Sequence, residues 1–98
     1  NTRAAPKQRA FFFVSYCRAD LPAVRPILQR LRAGGRRLWL DTGNLMPGRH
    51  WTGEIMRAIR ASQAVIVFCS KQAFASGHVF REVAAAARFN KIIIPVFL

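Results

Sequence analysis

Phe11-Phe12-Phe13-Val14-Ser15-Tyr16 runs apolar with no polar alternation. A strand with one wet face alternates, because successive side chains point to opposite sides of the sheet. A run without alternation belongs to a strand covered on both faces, as in parallel sheets flanked by helices. Ala64-Val65-Ile66-Val67-Phe68-Cys69 repeats the pattern, so two such strands are expected.

Working outward, the segments between strands carry helical spacing. Leu21, Val24, Ile27, Leu28 and Leu31 form one apolar stripe. Asp20 is placed to cap that helix, Pro22 fits its first turn, and Gly34-Gly35 ends it. Pro26 is expected to kink the helix or delay its start. Arg37 to Asp41 reads as the second strand, and Thr42 to His50 as a loop with Gly43, Asn44, Pro47 and Gly48. A second helix is expected from about Trp51 to Ala61, a loop from Lys71 to His78, and a third helix from Val79 to Phe89. Lys91 to Leu98 reads as the fourth strand. Pro95 cannot donate to a ladder, so it belongs at an edge or a ladder break. The order β-α-β-α-β-α-β predicts a flavodoxin-like, doubly wound parallel sheet in three α/β/α layers, with strand order 2-1-3-4. Residues 1–9 read as a flexible basic lead-in and 10–98 as one domain, ending on its fourth strand.

The chain has 98 residues, 52% of them hydrophobic, and a formal net charge of +12. That charge draws polyanions, so a basic nucleic-acid-binding domain stays open as an alternative. The basic residues form no long block and have no interleaved aromatic ladder for stacking bases, so no specific nucleic-acid partner is assigned. Cys17 and Cys69 lack metal-ligand spacing and make no disulfide framework, which points to free thiols in a reducing cytoplasm. No apolar run is long enough to span a bilayer, and no metal is expected.

Four acids stand against sixteen Lys and Arg: Asp20, Asp41, Glu54 and Glu82. Doubly wound sheets bind ligands beyond the carboxyl ends of their strands, where strand order reverses. In a 2-1-3-4 sheet that point lies between strands one and three. Topology therefore directs Asp20, Asp41 and Glu82 toward it. A dinucleotide fingerprint, a P-loop and a Gly-x-Ser-x-Gly elbow are all missing. Cys69-Ser70 at the end of the third strand leaves no acceptor for an aspartyl phosphate.

Phe13-Val14-Ser15-Tyr16 with Asp20 four residues on resembles the first signature box of Toll/interleukin-1 receptor (TIR) domains. Leu38-Trp39-Leu40-Asp41, then Leu45-Met46-Pro47-Gly48 and Trp51, is similar to the second strand and the loop after it. Ser76-Gly77-His78-Val79-Phe80-Arg81-Glu82 is similar to the family's Ser-x-Trp-Cys-x-x-Glu, and Ile94-Pro95-Val96 to the next strand. The short loops look more like bacterial members. His78 stands where the family usually carries Trp, and the usual last strand and helix are expected to be missing.

The resemblance implies a choice. Many bacterial, plant and axonal TIR domains cleave NAD+ at the nicotinamide–ribose bond with the third-motif glutamate, here Glu82. Receptor and adaptor TIR domains mostly act as assembly modules, which is the alternative function. The enzymatic reading makes NAD+ a substrate, needs no cofactor, and favours a bacterial antiviral effector switched on by oligomer or filament formation. Its partners are then other copies, with Thr42 to His50 at the interface, and a fused or associated sensor domain.

On the same reading Trp39 and Asp41 line the NAD+ cleft, and Phe13, Ser15, Arg18 and His78 are binding candidates. Five of these six have a plain structural rival: core rings for Phe13 and Trp39, a turn for Asp41, backbone capping for Ser15, a solvated cation for Arg18. Glu82 sits on its helix with Val79 and Ala86 at i−3 and i+4, which suggests burial beside a cleft. A surface Glu paired with Arg81 or Arg88 is its rival.

Overall fold

The structure, a computed structural model, describes residues 10–40 and 53–98. The lead-in 1–9, Asp41, the loop Thr42 to His50 and the expected helix start at Trp51 lie outside the described residues.

Four strands form one sheet in the order β2-β1-β3-β4: β1 (Phe12–Ser15), β2 (Leu38–Leu40), β3 (Ala64–Cys69) and β4 (Ile93–Phe97). All three pairings are parallel, and β1 registers Phe13 against Trp39 on one side and Val65 on the other. Every residue of β3 is buried, as its unbroken apolar run requires. The expected order and doubly wound class are both present, and Pro95 lies on β4, in register with Val67 of β3.

Helices pack on both faces of the sheet, as parallel crossover connections require. Strand alternation sends Phe13, Val65, Val67 and Cys69 to one side, where they pack with Ile55, Ala58 and Ile59 of α2 (Gly53–Ala61). Val79, Ala85 and Ala86 of α4 (Gly77–Arg88) complete that layer. Val14, Tyr16, Ile66 and Phe68 face the other way, onto Val24 and Leu28 of α1 (Leu21–Ala33).

Three local expectations are corrected. Of the kink or delayed start expected from Pro26, the delay is overturned: helix α1 begins at Leu21 and runs through the exposed Pro26, because only one internal bond is forfeited, on the solvent side. Asp20 precedes α1 but makes no side-chain cap there. The segment expected as a loop from Lys71 to His78 instead holds a short helix, α3 (Lys71–Phe74), and the first turn of α4. Ser70 and Ser76 cap these two helices, accepting from the backbone amides of Ala73 and Val79. A serine followed by a helical stripe is the signal that places both starts.

Candidate active site at the end of the central strand

Ser15 is the last residue of β1, which lies between β2 and β3. The strand-order reversal therefore falls at its carboxyl end. Alternation gives Ser15 the same face as Phe13, beneath α4. On α4, Val79, Glu82, Ala85 and Ala86 are the buried positions, so Glu82 occupies the apolar stripe and points at the sheet. The two meet: the Ser15 hydroxyl donates to Glu82 Oε1 at 2.7 Å, and the residues are 0% and 1% exposed. Glu82 is thus held inside the domain against the central strand, and the surface-pair rival with Arg81 or Arg88 is not what forms.

A buried carboxylate is costly unless hydrogen-bonded, and a charge-assisted O–H···O bond is among the stronger ones available. The arrangement fixes the direction of Oε1 and keeps the carboxylate out of water. It can stabilise positive charge building on a substrate atom brought against it.

The other binding candidates separate. Phe13 is wholly buried, its ring stacked on Trp39 with centroids 5.1 Å apart and planes 18° from parallel. In this state the Phe13 ring has no exposed surface for a ligand to meet. Trp39 is half-buried on the outer strand, the more accessible member of the stack. Arg18 is exposed on a one-turn 3-10 helix, Arg18–Asp20, just after β1. Asp41 lies outside the described residues.

Asp20 does not join Glu82 as a carboxylate pair. It is buried and accepts from the hydroxyl of Ser70, at the end of β3. Each of the two acids is therefore taken by a serine from a neighbouring strand end. Ser70 was not singled out in the sequence; its place between an all-apolar strand and Lys71-Gln72-Ala73 marks it as a cap, but nothing local names Asp20 as its second partner.

His78 is half-buried at the start of α4, with Nδ1 3.0 Å from Ser76 Oγ and Nε2 3.0 Å from the Tyr16 carbonyl oxygen. Its ring nitrogens face protein groups on both sides. Cys17 is partly buried and Cys69 buried, both as free thiols. Among the described residues no group of three His, Cys, Asp or Glu is placed to hold a metal, and no helix is long and apolar enough to cross a membrane.

Comparison with known proteins bears on the same span. A family model described as TIR domain matches residues 12–98. No curated protein matches the chain significantly. The TIR domains of the activated Roq1 resistosome, which directly recognises the pathogen effector XopQ, are similar with a TM-score of 0.71 and 26% identity. That match covers 90% of this chain and 57% of the other. The TIR-STING receptor of the metazoan C. gigas gives a TM-score of 0.69 at 28% identity, over 89% of this chain and 30% of that one. The TIR domain of the Toll-related receptor TRR-2 from Hydra magnipapillata gives 0.72 at 22% identity, covering 86% and 66%, and speaks to the fold alone. The chain thus spans between 30% and 66% of the length of these structures.

Proposed function

The chain belongs to the TIR-domain family, and on that premise we propose that it hydrolyses NAD+ at the nicotinamide–ribose bond with Glu82 as its catalytic carboxylate. One observation carries the reading: a glutamate in the family's third-motif position is buried at the strand-order reversal and held by Ser15 at 2.7 Å.

The chemistry asks little more of the protein. The bond from ribose C1′ to the pyridinium nitrogen breaks, and its electron pair leaves with nicotinamide as a neutral molecule. Positive charge develops on the ribose, as in glycoside hydrolysis. A carboxylate against that sugar stabilises the charge and orients the ribose hydroxyls. Water then adds to C1′ and releases a proton, giving ADP-ribose. Because the leaving group departs neutral, no general acid is required.

Glu82 is shut away at 1% exposure, so the substrate reaches it only after this end of the domain opens. We assign the trigger to side-by-side assembly of copies, through a partner or sensor domain, with the loop Thr42 to His50 completing a neighbour's site. A bacterial antiviral setting suits such a switch, because an always-open NAD+ hydrolase would deplete its own cell. These roles put Trp39, Asp41 and Arg18 around the bound dinucleotide, and the reaction takes place in the cytoplasm.

The same closure is what favours a second reading, a non-enzymatic assembly module with Glu82 as an internal tie. NAD+ consumption by the chain, crowded or clustered on beads, separates the two. Wild type is expected to turn over NAD+ and Glu82→Ala to fall to background. Equal, background-level traces from both leave only the module.

A further inference from the structure

We infer that His78 is a positioning residue: it clamps the first turn of α4, and through it Glu82, to the end of β1. The inference deepens the hydrolase reading and rests on it for its catalytic consequence. The structural clamp itself stands on geometry.

The Tyr16 carbonyl can only accept, so His78 Nε2, 3.0 Å away, carries the hydrogen. In the neutral ring Nδ1 is then an acceptor, and the Ser76 hydroxyl, 3.0 Å from it, donates. Ser76 Oγ in turn accepts from the Val79 amide at 3.4 Å. One chain of bonds therefore runs from the Val79 N–H through Ser76 and His78 to the backbone of Tyr16. Tyr16 follows Ser15, and Glu82 lies one turn beyond His78 on α4. The clamp and the Ser15–Glu82 bond thus tie the same two elements together at adjacent positions. Removing the clamp frees the helix start that sets where the carboxylate points. A misplacement of about 1 Å at a reacting group costs on the order of a hundredfold in rate.

This geometry gives His78 a task other than stacking on the substrate. A stacking residue contributes to binding, so its loss raises KM. A positioning residue that acts through Glu82 lowers kcat with KM little changed. Gln is the conservative replacement, since its side-chain amide offers a donor toward the Tyr16 carbonyl.

The experiment combines three readouts on wild type, His78→Ala, His78→Gln and Glu82→Ala. Nitrogen-15 NMR of the His78 ring is expected to show the Nε2–H tautomer. Amide exchange at Val79 and Phe80 is expected to quicken about tenfold in His78→Ala, the equivalent of one hydrogen bond, and to return toward wild type in His78→Gln. NAD+ turnover by the clustered protein is expected to lose at least about tenfold in kcat in His78→Ala, with KM within about twofold and partial rescue by Gln. An Nδ1–H tautomer overturns the clamp, as does unchanged amide exchange in His78→Ala. A rise in KM at constant kcat overturns the positioning role in favour of direct contact. If wild type and Glu82→Ala are equally inactive the hydrolase reading fails, and the tautomer and the exchange rates still decide the clamp.

Discussion

The hydroxyl of Ser70 bonds the carboxylate of Asp20 across the gap between the end of β3 and the turn after β1. Ser70 also accepts from the Ala73 amide at 3.0 Å, so one side chain both starts α3 and anchors the approach to α1. Asp20→Ala leaves a partly buried hydroxyl with its partner removed, and is expected to cost about 1–3 kcal/mol. Ser70→Ala is expected to cost at least as much, through the lost cap as well. The double variant should fall short of the sum by about 1 kcal/mol or more if the two act as a pair. Urea unfolding of the four proteins measures this, and strict additivity would count against the pair.

Burial sets up a test of whether Glu82 is kept for chemistry or for stability. Taking a carboxylate to 1% exposure carries a desolvation cost. Glu82→Gln preserves the shape and an oxygen for the Ser15 hydroxyl while removing the charge. The variant is expected to unfold within about 1 kcal/mol of wild type or to be more stable, while losing NAD+ turnover, as functional groups often trade against stability. A loss above about 3 kcal/mol in thermal unfolding would instead make Glu82 an internal tie, since that exceeds the worth of one hydrogen bond to a charged group.

The helix ends provide a sharper contrast between neighbouring residues. Gly35 has φ +89° just past α1, with its amide on the Arg32 carbonyl and the Arg36 amide on Leu31. A left-handed residue here closes the helix. Gly34 has φ −83°, which any residue adopts. Nothing lies within 4 Å of a Cβ built on Gly35, so Gly35→Ala tests backbone strain alone. It is expected to cost about 1 kcal/mol. Gly34→Ala is expected to be neutral or to stabilise by up to about 1 kcal/mol, because Gly34 spends unfolded-state entropy without using it. Paired melting curves decide it, and equal shifts would contradict the assignment. Asn90, at φ 58° after α4, fills the same role with a residue that tolerates it.

These elements also mark where the sequence is legible. Strands β1 and β3, the α1 stripe and the Gly34-Gly35 stop are set by local pattern, and each stands where the pattern puts it. Glu82 was legible as an i−3, i+4 neighbour of apolar residues. What pattern does not contain is which groups meet over long separations. Ser15 and Glu82 are 67 residues apart, Ser70 and Asp20 50, His78 and Tyr16 62. Strand order brings each pair to one edge, but the exchange of partners among serines and acids depends on packing angles that no local rule carries. Hence Asp20, legible as a cap for its own helix, spends its carboxylate on Ser70 instead.

The fourth strand carries the last prediction. Strand β4 pairs only with β3 among the described residues. Ile92, Phe97 and Leu98 are exposed there, and Phe74 and Phe80 stand out nearby beside an apolar groove of about 260 Å³ that Ile93 and Pro95 also line. An exposed apolar cluster of this kind favours association in water. Pro95 removes one ladder donor but leaves the side chains bare. The chain spanning these 98 residues is therefore expected to self-associate as its concentration rises, and Phe97→Lys to shift light scattering toward monomer. The substitution touches no buried contact, so melting temperature should move little. If Phe97→Lys and wild type scatter alike at matched concentration, this apolar cluster is not what drives association, and the basic surface or the α2–α4 face must be tested next.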